Sequence, residues 1–370
     1  MLMLFLIKIA PLSIKRRIPV NMLIQILGQN IMQIPRSIYC VSLSHTVILG
    51  VLIIYSSSIF AKGLEPKGIF SFVLENDVFY GEDQDYTNGV KFIWIPDENS
   101  QTPEWALNSA RFIPWFPQAG KVQHGYAFGQ SMFTPSDITI VDPPEGERPY
   151  AGWLYAAIGL ASEKNQQLDQ VSLMIGVIGP AALAQETQTF VHDVTGSDKP
   201  MGWDTQLSNE IGLVISHKHS WRELLSYDLL HNKIDVSPYV GTALGNVFTY
   251  ANAGFTLRYG KDLPNDYGPP RLQPGMPSGV DFSLNSPHLG WYLFAGVEGR
   301  AVVRNIFLDG NSFVDSRSVE KFPFVGDFQF GFVIDWKNIR LSYTHVLRTE
   351  EYRTQQVNND FGALTIGVKF

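Results

Sequence analysis

Three stretches of the chain hold residues whose types and spacing suit chemistry. Glu75-Asn76-Asp77 is followed eight residues on by Asp85-Tyr86-Thr87-Asn88-Gly89. Carboxylates and amide oxygens are the hard donors that Ca²⁺ takes. Asn, Asp and Gly also dominate turns, so plain turn chemistry explains the same residues. Neighbours in a regular strand point to opposite faces, so Asn76 and Asp77 share a cation only where the strand has ended or one of them donates its carbonyl. The second stretch, Gly146-Glu147-Arg148-Pro149-Tyr150-Ala151-Gly152, contains an arginine able to grip a phosphate or carboxylate in bidentate fashion. Pairing with a nearby acid is the commoner fate of such a residue. The third stretch, Gly179 to Asn209, holds Gln188 and His192 four apart, followed by Asp193, Asp198, Trp203, Asp204 and Gln206. Four apart on a helix means one face. A neutral imidazole there can take a proton from water near pH 7, although a lone exposed histidine is more often inert. Gly-x-Ser-x-Gly is absent, so attack by water fits better than a serine acyl-enzyme.

These stretches have to be held by something, and the chain between them alternates. Leu364, Ile366, Val368 and Phe370 fall on one face, opposite Ala363, Thr365, Gly367 and Lys369. Phe328, Phe330, Phe332 and Ile334 oppose Gln329, Gly331, Val333 and Asp335. The period of two predicts strands near 69–77, 87–95, 124–133, 152–161, 169–178, 209–219, 233–244, 247–259, 289–302, 325–335, 338–348 and 360–370. Many reach the length a tilted strand needs to cross a bilayer. A soluble β-sandwich also alternates. Apolar faces that stay apolar to the strand ends, and an aromatic last residue, favour a twelve-stranded antiparallel transmembrane β-barrel. An even count puts both termini on the periplasmic side. The connections after strands one, three and five, which carry the polar stretches, then lie outside the cell. Within the third, Ala181 to Asp193 lacks alternation and is bounded by Pro180 and Gly196, predicting a short helix. The connection from Pro96 to Gln123, with Trp105, Phe112, Trp115 and Phe116, suggests no function.

The chain of 370 residues is 45% hydrophobic and 17% charged, with mean hydropathy near zero. Apolar residues interleaved with small polar ones produce that balance, and a barrel requires it. Residues 1–61 carry five basic residues (Lys8, Lys15, Arg16, Arg17 and Arg36) and no acid. The remainder has 23 basic against 35 acidic residues, which argues against nucleic acid as a partner. From Ser37 to Ala61 there is no charge, with an apolar centre and a Ser56-Ser57-Ser58-Ile59-Phe60-Ala61 end. This reads as a cleavable export signal in 1–61, translated from Met22 or Met32, with a barrel over 62–370. A retained membrane anchor is the alternative. The single cysteine, Cys40, lies in that leader, so no disulfide or Cys-based metal site is expected after it.

Taken in order, Glu75-Asn76-Asp77, Tyr86-Thr87-Asn88-Gly89, Gly129-Gln130, Arg148 to Gly152, Gly176 to Pro180, and Gln188 through His192 to Gly202-Trp203 form a recognisable set. The chain resembles the lipid A 3-O-deacylase family of Gram-negative outer-membrane barrels over residues 68–370. That resemblance implies a calcium-dependent ester hydrolase that removes the 3′-linked acyloxyacyl chain of lipid A in lipopolysaccharide. It implies His192 as general base, Gln188 and Thr87 in the catalytic site, and Asn76 and Asp77 in the calcium site. Asp198 stands where the family's acidic residue after the histidine is expected, as the shorter acid, and is the third residue the resemblance assigns to the calcium site. Arg148 stands in place of a substrate-facing lysine. A phospholipase would need the same groups, and a passive porin would explain the strands but not the helix carrying His192.

Overall fold

The structure, a computed structural model, describes residues 68–76, 85–97, 102–113, 116, 121–261, 263, 264, 266–268, 289–356 and 359–370. The strands are β1 (Gly68–Asn76), β2 (Asp85–Pro96), β3 (Lys121–Thr134), β4 (Ala151–Lys164), β5 (Gln167–Ile178), β6 (Glu210–Trp221), β7 (Leu225–Leu229), β8 (Asn232–Gly245), β9 (Phe248–Lys261), β10 (Gly290–Asn305), β11 (Phe324–Trp336), β12 (Ile339–Arg348) and β13 (Asn359–Lys369). Apart from β6 and β7, strands adjacent in the chain pair antiparallel, and β1 pairs with β13. β6 pairs with the Tyr239–Gly245 part of β8, while β7 takes the Asn232–Val236 part. β7 therefore continues β6 after an irregular turn in which Glu223 has φ of 51°. The result is a closed barrel of twelve staves, one of them broken. Closure leaves no long unpaired edge, the condition for strands to sit in lipid.

All twelve alternating segments are strands. β7 was not anticipated, because its turn-rich flanks mask five residues of pattern. The barrel is turned inside out relative to a soluble protein. Phe328, Phe330 and Ile334 on β11, and Ile211, Leu213 and Ile215 on β6, are exposed on the outer wall. Gln329 and Asp335 on β11, and Ser216 and Ser220 on β6, are buried within. Lipid rewards the first set and a polar lumen the second. We call the rim where β1, β3 and β5 end the upper rim. Aromatic residues gather at the lower one: Phe370 stacks on Trp94 at 6.1 Å and Tyr259 meets Trp291 at 6.4 Å. The amphipathic Trp and Tyr rings among them favour the membrane interface.

The lumen is plugged at its lower end by buried charge. Asp266, carried in by the β9–β10 connection, accepts from Arg258, from Arg340 at 2.9 Å and from the Tyr292 hydroxyl at 3.2 Å. Arg258 also forks onto Asp235 at 2.9 and 2.8 Å, and Arg340 onto Asp335 at 2.6 and 2.7 Å. Burying these ions is costly, and only near-complete bidentate pairing offsets it. At the upper end the connection after β10 folds into the lumen, and its Phe307 stacks on Phe133 at 3.9 Å. Outside the wall, α1 (Glu104–Phe112) lies at the lower rim, seating Ala106 and Ala110 against Leu160 beside Val122 and Val171. It accounts for part of the Pro96–Gln123 connection. His217 and His219, also near the lower rim, both reach Asp169, at 3.0 and 2.9 Å. The leader expected in 1–61 lies outside the described residues.

Candidate functional site on the outer wall

The predicted helix is present as α2 (Ala184–Thr195), introduced by a 3₁₀ turn at Pro180–Ala182. Pro180 opens that turn rather than the α-helix itself. Leu183, in the left-handed region at φ 57°, joins the two. Gly196 ends α2 at φ 75°, and the amides of Gly196 and Ser197 both donate to the His192 carbonyl, at 2.8 and 3.1 Å. A left-handed cap of this kind favours glycine.

Register shows where the helix sits. Gln130 is on the outer face of β3, with Phe128 below it exposed to lipid and Ser131 and Phe133 turned to the lumen. The Gln130 side-chain amide donates to the Ala182 carbonyl at 2.6 Å. The Gly179 amide donates to the Gly152 carbonyl at 3.0 Å, and the Leu207 amide to that of Tyr150 at 2.9 Å. Ala184 packs with Met132, Tyr150 and Trp203. A Cβ placed on Gly152 would come within 2.5 Å of the Ala184 Cβ and 3.1 Å of the Ala182 Cβ. The helix therefore lies directly on the lipid-facing side of β3 and β4 at the upper rim. Its buried stripe is Ala184, Gln188 and His192, at successive spacings of four. The other side shows Leu183, Phe190 and Val194 outward, an apolar surface suited to lipid.

On this stripe His192 is 7% exposed and Gln188 2%. The His192 Nδ1 lies 2.5 Å from the Asp198 carbonyl oxygen. A carbonyl only accepts, so Nδ1 is the nitrogen that carries the proton in this contact, and in the tautomer this selects Nε2 is the basic nitrogen. Trp203 Nε1 donates to Gln188 Oε1 at 2.8 Å. The Trp203 ring is held against Tyr150 at 4.9 Å, and the Tyr150 hydroxyl donates to the Ile138 carbonyl at 3.2 Å.

Asn76 ends β1 on the same outer wall. It lies opposite Asn88 on β2, which lies opposite Met132 on β3, itself opposite Gly152 on β4. At about 4.8 Å per strand, this row runs roughly 14 Å from Asn76 to the strand under α2. β2 carries an irregularity between Asp85 and Asn88, so the pairing skips at Tyr86-Thr87. Bulges of this kind re-aim side chains next to functional sites. The side chain of Thr87, and the whole of Asp77, lie outside what the structure describes.

Other expected residues fall elsewhere. Glu75 faces the lumen, buried with Lys91 on the inner wall, and so is separated from its neighbour Asn76 by the thickness of the strand. Arg148 is also turned inward, over the Phe133 ring at 5.1 Å and 3.7 Å from Glu351. Its pairing with an acid is the commoner of the two readings allowed by sequence, and its position does not bring it to α2. Asp198 contributes its backbone carbonyl to His192, while the residue itself is exposed. Among the described residues no group of three or more His, Cys, Asp or Glu lies placed to hold a metal. The Asn76–Asn88 row does offer amide oxygens at the end of the strand that leads into Asp77, a donor set whose chemistry fits calcium. Gln130, Tyr150 and Gly152 were legible only as members of motifs. Their parts in seating α2 depend on register across three strands.

A closed twelve-stave barrel with an apolar outer wall, an aromatic lower rim and a histidine-bearing helix laid against its lipid face is an outer-membrane protein. More narrowly, the chain belongs to the family described as outer membrane protein LpxR, which it matches over residues 47–370. Among solved structures, LpxR from Salmonella typhimurium is 22% identical with a TM-score of 0.67, covering 82% of this chain and 100% of that one. The β-domain of the Bordetella autotransporter BrkA is 9% identical with a TM-score of 0.39, covering 83% of this chain and 99% of that one. The translocator domain of NalP from Neisseria meningitidis is 10% identical with a TM-score of 0.31, covering 91% and 100%. No curated protein matches the sequence.

Proposed function

We propose that this protein is an ester hydrolase of the outer leaflet, removing the 3′-acyloxyacyl chain of lipid A with water activated by His192. The observation that carries the reading is the position of His192. It sits on a helix against the lipid-facing wall, with Nδ1 tied to the Asp198 carbonyl at 2.5 Å. A histidine in the lumen would meet water and solutes; one on this wall meets lipid. With the upper rim extracellular, as strand parity requires, that lipid is lipopolysaccharide.

His192 Nε2 takes a proton from a water held against the helix. The resulting hydroxide attacks the ester carbonyl, and the imidazolium returns the proton to the departing alkoxide, leaving a fatty acid and an alcohol. The Asp198 carbonyl keeps the ring in the correct tautomer through both transfers. Asn76 and Asp77 would hold calcium, which when bound offers positive charge to the carbonyl oxygen as it turns negative. The plugs at both ends of the lumen favour this reading over a passive pore.

Purified barrel incubated with lipid A and with phosphatidylethanolamine, each with calcium or chelator, tests the proposal by mass spectrometry. Loss of the 3′ chain from lipid A in the calcium arm alone is expected. Cleavage confined to phosphatidylethanolamine would make the protein a phospholipase, and no cleavage in either arm would leave a structural barrel.

A further inference from the structure

Gln188 is 2% exposed, and among the described residues its Nε2 has no hydrogen-bond partner. Leaving a buried donor unmatched is expensive, so native proteins seldom do it without a reason. Which end of the amide is left over follows from chemistry. An indole nitrogen only donates, so the Trp203 Nε1 contact at 2.8 Å must be to Gln188 Oε1. The amide cannot turn over without setting two donors face to face. Trp203 is itself fixed, 1% exposed and packed on Tyr150. The orphaned Nε2 therefore has a fixed identity, an N–H, on the same helix stripe as His192 and one turn before it.

We infer that Trp203 is a positioning residue which locks Gln188 so that Nε2 donates to the ester carbonyl oxygen of the bound lipid as that oxygen turns negative. This rests on the hydrolase reading above and adds to it a hydrogen-bond donor and the residue that sets its polarity. The ligand at this point must present an acceptor, and an acyl ester does. A donor held in advance, away from water, needs no reorganisation when the charge develops. No bond is made or broken by Gln188; it only stabilises charge while water adds and the alkoxide leaves.

The test is a double-mutant cycle on lipid A hydrolysis. Gln188→Glu keeps an acceptor for Trp203 and removes the donor, and Gln188→Met removes both without adding charge. Each is expected to lower kcat by about 10²-fold, the scale for losing one such donor, with KM little changed because the contact strengthens only in the transition state. Trp203→Phe keeps the ring and releases the amide. It is expected to lower kcat about fivefold, the net value of one hydrogen bond. Placed on Gln188→Met, Trp203→Phe is expected to cost nothing further, since its effect passes through Gln188. Heat-modifiable migration on gels reports that each barrel is folded. Wild-type kcat in folded Gln188→Met would overturn the donor assignment. Additive losses in the double variant would overturn the positioning role of Trp203. A wild type without any ester hydrolysis would instead overturn the parent reading, and this one with it.

Discussion

Replacing Gly152 with alanine tests whether the site depends on the helix lying flush against the wall. The added Cβ would fall 2.5 Å from the Ala184 Cβ and 3.1 Å from that of Ala182. Both are methyl carbons fixed to backbone, so neither can rotate away. Carbon atoms prefer roughly 3.5–4.0 Å, so the first turn of α2 must lift by about 1 Å or more. The strand has little reason to object, since β4 keeps its pairing on both sides. Misplacement of about 1 Å at catalytic groups costs on the order of 10²-fold. Gly152→Ala is therefore expected to lower lipid A deacylation about 10²-fold in a fully folded barrel, and Gly152→Val by more. Gly299 on β10 is the control, because a Cβ there meets nothing within 4 Å. Gly299→Ala is expected to behave as wild type. The assay is release of the 3′ chain from lipid A by mass spectrometry, with heat-modifiable gel migration reporting folding. Full activity in Gly152→Ala would refute the claim that contact between α2 and β4 aligns the site.

Other outcomes follow from the fold. Asp266→Ala strips both arginines of a shared partner while each keeps a second carboxylate, so a loss of about 3 kcal/mol, the lower end for a broken buried pair, is expected; an unchanged urea midpoint in detergent would show that the plug is not structural. Cysteines at Ser197 and Glu145 are expected to react with an impermeant reagent on intact cells, and one at Lys164 not to; the reverse pattern would invert the barrel. Export cleavage near Ala61 is expected, so amino-terminal sequencing of outer-membrane protein would begin within a few residues of Lys62; a mature chain retaining Cys40 would restore the anchor.

The staves were legible because lipid and lumen impose opposite solvents on alternate residues, and that demand is written residue by residue along β11 and β13. The α2 helix was legible from the change of period between Pro180 and Gly196. What lacked a local signature was missed. β7 is five residues between irregular turns. α1 shows only Ala106 and Ala110 as a small face behind Pro103, a pattern easily lost beside four aromatics. The plug joins Asp266 to Arg258, Asp235, Arg340 and Asp335, contributed by four strands, and no spacing along the chain encodes that meeting. The site was half legible for the same reason. His192 and Gln188 share a helix face, which sequence spacing dictates. Whether Arg148 turned outward or inward depended on Glu351, 203 residues further on. That Asp198 serves through its carbonyl follows from the cap at Gly196, where the chain reverses under the imidazole.

The central claim, that His192 activates water for lipid A hydrolysis, is tested most directly by turnover of His192→Ala. The substituted side chain takes no part in strand pairing, so the variant is expected to insert as a folded barrel. Loss of a general base typically costs about 10²–10⁴-fold, and added calcium is expected to restore none of it, because a cation cannot accept the proton. Undiminished removal of the 3′ chain by folded His192→Ala protein would contradict the account.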